Sequence, residues 1–342
     1  MKTFITGGVG FIGCNMAARF LKRGDQVTIF DNLSRPRTDN NLSWLKQQFG
    51  EDCLHFVKGD VRDFEALSQA VSSAAPDLLV HLASQVAVTT SVKDPREDFE
   101  INALGTFNVL EAARAQSTPP AVFFASTNKV YGGMEDVAVV EGETRYCYRD
   151  LPLGVSEQQP LDFHSPYGCS KGTGDQYVRD YARIYGMRTV VFRQSCIYGE
   201  RQFGVEDQGW VAHFIIAAAM KRSINIYGDG KQVRDLLYVQ DLINAYESAW
   251  QQLDKASGQV FNVGGGMANT LSIWAEFGPL LEQMAGHPIP IHRGDWRPGD
   301  QPVFISDNSK AKRVLGWEPH VSVKEGVQKL WDWVSSNPDL FK

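Results

Sequence analysis

The beginning of the chain constrains it most. The apolar run Lys2–Thr6 leads directly into Gly7-Gly8-Val9-Gly10-Phe11-Ile12-Gly13, and a helical pattern follows. Each of three glycines has a physical task at this spacing. Gly7 permits a tight turn, Gly10 lets backbone N–H groups approach a pyrophosphate, and Gly13 lets the helix pack close to the strand. A helix opening there presents unpaired donors and the positive end of its dipole to phosphate. A glycine cluster alone would also suit a bare turn. Here a strand precedes it, a helix follows, and Asp31 ends the second apolar run at the distance a dinucleotide site requires.

Asp31 can accept hydrogen bonds from both hydroxyls of the adenosine ribose, and its charge repels the extra phosphate of NADP. NAD is therefore the expected cofactor, although nearby Arg35 could neutralise a 2′-phosphate. Asp60, at the end of the third apolar run, is placed to contact adenine or to cap a helix over Val61–Ala74.

The rest of the first half alternates short runs rich in β-branched and aromatic residues with longer helical patterns. Strands are predicted at Lys2–Thr6, Gln26–Asp31, Leu54–Lys58, Asp77–Leu82, Ala121–Ser126 and Thr189–Arg193. Helices are predicted near Phe11–Arg23, Phe64–Ala74, Phe99–Gln116 and Pro166–Tyr185. Such alternation implies an α/β fold with a doubly wound parallel sheet. After about Arg193 the rhythm shortens, as for a smaller mixed α/β lobe that binds substrate. The expected division is 1–195, with 233–264 returning, for the cofactor domain, and 196–232 with 265–342 for the second lobe. The stretch Gly132–Leu161 lacks periodicity and reads as an active-site loop or insertion.

Composition excludes several functions. The net charge of −6 comes from interleaved acids and bases, so no basic stripe invites nucleic acid or an anionic membrane. No apolar stretch approaches the roughly 18 residues of a membrane helix. The five cysteines and seven histidines have no ligand spacing, so no metal is expected, and the scattered odd thiols suit a reducing, cytoplasmic setting.

Tyr167 and Lys171 stand four apart in a segment opened by Ser165-Pro166, so a helix puts both on one face. A free phenol has a pKa of about 10 and needs nearby positive charge to act as a base near neutrality. Lys171 and an oxidised nicotinamide both supply it, and Lys171 can also hold the nicotinamide ribose. Thr127 ends the fifth strand, where its hydroxyl can orient a substrate oxygen. A Tyr-x-x-x-Lys spacing alone is common; joined to Gly7, Asp31 and Thr127 it points to redox chemistry at an alcohol carbon.

Together these segments resemble the extended short-chain dehydrogenase/reductase superfamily over essentially the whole chain. The resemblance implies a Rossmann-type sheet. It also implies cofactor contacts from Gly7, Gly10, Phe11, Ile12, Asp31, Asn32, Ser34, Arg35, Asp60, Val61, Leu82, Ala83, Gln85, Asn102, Tyr167 and Lys171. Further segments resemble the members that act on nucleotide-linked sugars: Tyr198-Gly199, Arg201-Gln202, Val233-Arg234-Asp235 and Arg297-Pro298-Gly299-Asp300. Sugar 4,6-dehydratases carry an Asp-Glu pair directly after the catalytic threonine, whereas this chain has Asn128-Lys129, so elimination lacks its acid and base.

The segments Leu161-Asp162-Phe163-His164-Ser165-Pro166-Tyr167 and Asp207-Gln208-Gly209-Trp210 resemble the branch that epimerises CDP-linked sugars at C2 for bacterial O-antigen. That resemblance implies a nucleotide-diphosphate sugar as substrate, CDP favoured, and a transient 2-keto sugar with no net oxidation. It suggests Gln85, Asn128, His164, Ser195, Gln202, Trp210 and Lys231 for substrate contacts, with Arg234, Arg297 and Asp300 anchoring the nucleotide. Bland alternatives remain: ion pairing for the arginines, a packed core role for Trp210. C4 epimerisation of a UDP-sugar and a silent nucleotide sensor are the competing functions. Relatives imply a homodimer or homotetramer built through helices near 99–116 and 166–185.

Overall fold

The β-branched and aromatic runs form strands, and those at the centre of the sheet are buried on both faces. The computed structural model describes residues 1–50, 52–297 and 300–342. Its first strands are β1 (Lys2–Thr6), β2 (Gln26–Asp31), β3 (Leu54–Lys58), β4 (Leu78–His81) and β5 (Ala121–Thr127). Strands Thr189–Gln194 and Gln259–Val263 complete a seven-stranded sheet. Across it the order is Gln259–Val263, Thr189–Gln194, β5, β4, β1, β2, β3. Within β1–β5 every neighbouring pair is parallel, with Ile5 beside both Ile29 and Val80. The winding reverses between β1 and β4, the position at which a doubly wound sheet generally binds its ligand.

The covering helices are α1 (Phe11–Lys22), α2 (Thr38–Phe49), α3 (Phe64–Ala74), α4 (Val88–Lys93), α5 (Pro95–Phe99), α6 (Gly105–Arg114) and α7 (Ser165–Tyr185). The expected single helix 99–116 is broken by a π-type segment, Glu100–Leu104, between α5 and α6. Such bulges gather at functional sites, and this one carries the buried Asn102. Helices α2 and α4 escape the periodicity for different reasons. The first buries only Thr38, Asn41 and Leu45, and the second, Val-Thr-Thr-Ser-Val-Lys, is rich in strand-forming residues.

Phe4, Leu79, Val122 and Phe124 on the sheet pack with Leu67, Val71, Val109, Leu110 and Val178 of the helices. Each such side chain contributes roughly 1.5–3 kcal/mol when buried. One ion pair lies inside this core. Arg193 grips fully buried Asp175 through Nε at 2.8 Å and Nη2 at 2.9 Å, and Ser126 Oγ donates to the same carboxylate at 2.8 Å.

The chain divides into two compact units. The first holds 1–130, 165–193 and 246–261, and the second holds 131–164, 194–245 and 262–342. This corrects the expected boundaries in two places. Residues 131–164 belong to the second unit, because Gln301 donates to the Gly132 carbonyl and Val155 bridges Ser306. The stretch read as an active-site loop or insertion contains an antiparallel hairpin, Val139–Glu141 with Tyr146–Tyr148. The strand Val233–Tyr238 does not return to the first unit; it pairs with Cys196–Tyr198, Thr270–Ser272 and Val303–Phe304 of the second. A separate core of Phe214, Ile215, Phe277, Leu281 and Leu330 supports that unit. No helix among the described residues is long and apolar enough to cross a membrane.

Breaking the buried pair leaves one charge uncompensated. Asp175→Ala should therefore lower unfolding free energy by about 3–5 kcal/mol, whereas Asp175→Leu with Arg193→Met should restore most of it. Urea unfolding of the two variants checks this, and equal losses would contradict it.

Candidate active site

The turn after β1 is shaped by close backbone approach. Gly7 has φ +69°, and a Cβ there would lie 2.7 Å from the Ala83 nitrogen. A Cβ on Gly13 would lie 2.4 Å from the Gly7 carbonyl oxygen, so only glycine lets α1 sit this near the strand. Helix α1 has no side-chain cap and no acid in its first turn. A missing cap costs about 1 kcal/mol. Buried Met16, Ala17, Phe20 and Leu21 outweigh that loss, and the donors beside Phe11 and Ile12 stay available for an anion.

Asp31 ends β2 with its carboxylate turned back to this turn. Oδ2 accepts from the Val9 N–H at 3.2 Å and Oδ1 from the Leu33 N–H at 2.9 Å. Burial pushes its pKa up, and these two bonds pull it back. Each oxygen keeps a lone pair for a ribose hydroxyl. Asn32 accepts from the Ser34 N–H and donates to Asp60 at 2.8 Å. Asp60 also binds Arg62, which holds its carboxyl low, at about 2. The cap of α3 is Asp63, not Asp60, since Asp63 Oδ1 accepts from the Ala66 N–H. Leu82 and Ala83 hydrogen-bond to Thr6 through their N–H groups. Val61 is buried in the core, while Ser34 and Arg35 are exposed. The glycine cradle, uncapped helix and ribose-facing carboxylate fit NAD.

Helix α7 brings the proposed catalytic residues together with Thr127 in the same unit. Ser165 Oγ accepts from the Gly168 N–H at 3.2 Å, and buried Ser91 accepts from the Tyr167 N–H at 3.1 Å, so the first turn is held from two sides. Tyr167 is 8% exposed and Lys171 4%. Burial pushes the Tyr167 phenol up to about 12, while a hydrogen bond with Thr127 works in the other direction. Burial drives the Lys171 amine down to about 7, against the pull of Asp98 and Asp175. Its Nζ lies 4.3 Å from the centre of the Phe124 ring. A neutral phenol and a titrating amine in one dry place form a pair whose protonation shifts readily when further positive charge arrives. Asn128, 9% exposed, accepts from Thr127 Oγ1 at 3.3 Å.

Two expected contacts are used inside the protein. Gln85 donates to Asp98 at 2.7 Å and to the Ala87 carbonyl, and its own oxygen accepts from the Ala87 N–H. Asn102 donates to Asp98, Ser170 and the Gln85 carbonyl, and accepts from Ser84 Oγ and the Gln85 N–H. The reason is buried Asp98, whose carboxylate requires donors once it is removed from solvent. Sequence reasoning missed Asp98, although its spacing of four from Asn102 marks a polar pair on one helical face.

In the second unit, Arg234 is 6% exposed and binds Asp300 Oδ1 at 2.6 Å, joining two of the expected anchors. Arg297 meets Asp207 at 3.2 Å and stacks 4.1 Å from the Tyr227 ring centre. Its motif neighbours Pro298 and Gly299 lie outside the described residues. Lys231 reaches Glu141 at 2.8 Å, and exposed His164 lies 3.2 Å from Asp162. Ser195 donates to buried Asp235, which also accepts from the Ser306 and Gly266 N–H groups, so its hydroxyl serves the fold. Trp210 packs edge-on against Phe214 and Phe277, and its buried indole nitrogen has no hydrogen-bond partner among the described residues. Gln202 donates weakly to the Ile197 carbonyl at 3.4 Å, and its buried side-chain oxygen likewise has no partner among the described residues.

A family model described as GDP-mannose 4,6 dehydratase matches residues 4–330. The chain belongs to this family. It is 46% identical over 341 residues to the CDP-paratose 2-epimerase of Salmonella typhi, covering 98% of this chain and all of that protein. Among solved structures, the Thermus thermophilus UDP-glucose 4-epimerase in complex with NAD superposes with a TM-score of 0.80. It is 29% identical, with 97% of this chain and 98% of that one covered. The Bacillus cereus UDP-glucuronic acid 4-epimerase, in complex with UDP-glucuronic acid and NAD, gives 0.84 at 26% identity, covering 98% and 99%. Membership extends from the cradle at Gly7 to the last helices, so the family and the superfamily of nucleotide-sugar enzymes account for the whole fold.

Asp31→Ala removes the charged acceptor for the ribose hydroxyls. NAD affinity should fall roughly 10–100-fold, the equivalent of about 1.5–3 kcal/mol, and discrimination against NADP should relax. Titration with both dinucleotides measures this, and an unchanged preference would move ribose recognition elsewhere.

Proposed function

We propose that this protein is an NAD-dependent isomerase that inverts C2 of CDP-paratose to give CDP-tyvelose. The observation that carries the reading is buried Tyr167 one helical turn from buried Lys171, with Thr127 bonded to the phenol, in a chain 46% identical to a CDP-paratose 2-epimerase. Absence of an acid pair after Thr127 supports simple oxidation and reduction over elimination.

When bound, NAD supplies the oxidant for C2 and then returns the same hydrogen. Tyr167 takes the proton from the C2 hydroxyl, and Thr127 orients that oxygen. The Lys171 ammonium lowers the cost of the phenolate, which otherwise lies near pH 12. With C2 planar as a ketone, the sugar presents its other face while the nucleotide stays held, and Tyr167 gives the proton back. We assign the nucleotide to Arg234, Arg297, Asp300 and Lys231, and base stacking to Trp210. Asn128, His164 and Gln202 are assigned to the sugar.

The enzyme is proposed to work as a homodimer or homotetramer. Phe99, Phe107 and Tyr177 are 56%, 38% and 45% exposed, and the last two meet edge-on across α6 and α7. Five thiols, none in a disulfide, support a cytoplasmic setting.

Purified protein incubated with CDP-paratose should shift the C2 proton signal to that of CDP-tyvelose, followed by NMR. Tyr167→Phe should lose about 10²–10⁴-fold in turnover while keeping NAD. Unchanged CDP-paratose beside a converted UDP-hexose in a substrate panel would instead establish C4 epimerisation, and full activity of Tyr167→Phe would remove the base.

A further inference from the structure

Lys171 is a buried amine whose function requires its charge, so something buried must favour the charged form. Two carboxylates, Asp98 and Asp175, favour its charged form. Asp175, one turn along α7, is already clasped by Arg193, and its charge is largely answered there. Among the described residues, Asp98, at the end of α5, hydrogen-bonds with neutral donors: Ser170 Oγ at 2.5 Å, Gln85 Nε2 at 2.7 Å and Asn102 Nδ2 at 3.1 Å. It is 1% exposed. Among the described residues, the other titratable group that interacts with Lys171, His81 on β4, is bonded to Thr6 and Thr106 and held down to about 3, so it stays neutral.

We propose that Asp98 is a positioning residue for catalysis: its carboxylate tethers α7 through Ser170 and provides the unanswered negative charge that faces Lys171 and Tyr167. The tether acts on the residue directly before the catalytic lysine, from an element the sequence places about seventy residues away. The charge acts on both members of the pair. It favours the Lys171 ammonium and disfavours the Tyr167 phenolate. Asp98 therefore sets the pH window in which a phenolate and an ammonium coexist. Removing the charge lets Tyr167 lose its proton at lower pH, and makes Lys171 lose its proton at lower pH as well. Both limbs of the activity profile then move the same way. A residue that only holds the fold would lower the profile without moving it.

The inference rests on the epimerase reading for its kinetic test alone. In NAD-loaded protein labelled at lysine Cε, the Lys171 signal, assigned by its loss in Lys171→Met, is titrated by carbon NMR. Asp98→Asn should move that midpoint down by about one pH unit and shift both limbs of the kcat profile on CDP-paratose equally, with KM within about twofold. Asp98→Glu, which keeps the charge, should restore the parent midpoint. Ser170→Ala, which removes the tether alone, should lower kcat about tenfold with the profile unmoved. An unmoved midpoint in Asp98→Asn overturns the charge role, and full-rate Ser170→Ala overturns the tether. If Asp98→Asn does not fold, the parent still decides: the Asp98 carboxyl carbon must respond as Lys171 titrates, and silence overturns the coupling. Neither titration needs the sugar, so moved midpoints in a protein inert to CDP-paratose would count against the substrate and not against Asp98.

Discussion

Burial of the Lys171 amine is the interaction from which the rest of the site follows. An ammonium moved out of water loses several kcal/mol of solvation unless charge or hydrogen bonds replace it. The fold keeps the amine near its titration point by surrounding it with the Phe124 ring, Asp175 and Asp98. The neighbouring phenol suffers in the opposite direction, since burial disfavours its anion. A positively charged nicotinamide would favour the Tyr167 phenolate and disfavour the Lys171 ammonium, so the two carboxylates are what hold the amine's charge. The protein's own groups are thus poised for a third charge, which suits a cofactor that must be present for every turnover.

Architecture divides this work. The first unit carries the glycine cradle, Asp31, Thr127, Tyr167 and Lys171. The second carries Arg234, Arg297, Asp300, Trp210 and Gln202, in a smaller mixed fold with its own core. The family name refers to a dehydratase, yet Asn128 and Lys129 stand where elimination would need an acid and a base. One fold can host both loss of water and plain hydrogen transfer, and the residues placed in the site decide between them.

What was legible in the sequence was whatever depends on local pattern. β1, the turn at Gly7 and α1 follow from apolar spacing and from glycines that close approach makes obligatory. Tyr167 and Lys171 follow from a spacing of four. What depends on distant partners was not legible. Gln85, Asn102 and Ser195 are suitable polar residues for ligands, but buried Asp98 and Asp235 claim their hydrogen-bonding groups. The hairpin over 139–148 has no periodicity of its own because its strands are three residues long. The placement of Val233–Tyr238 was set by pairing with three strands of the second unit, which no single segment reveals.

The central claim is that a hydrogen leaves C2 and comes back to it without meeting solvent, with Tyr167 moving only the hydroxyl proton. CDP-paratose bearing deuterium at C2, incubated with the enzyme in ordinary water and followed by mass spectrometry, tests this directly. Full retention of deuterium in CDP-tyvelose is the predicted result. Exchange of that deuterium for solvent protium would mean inversion through a carbanion, and would contradict the account.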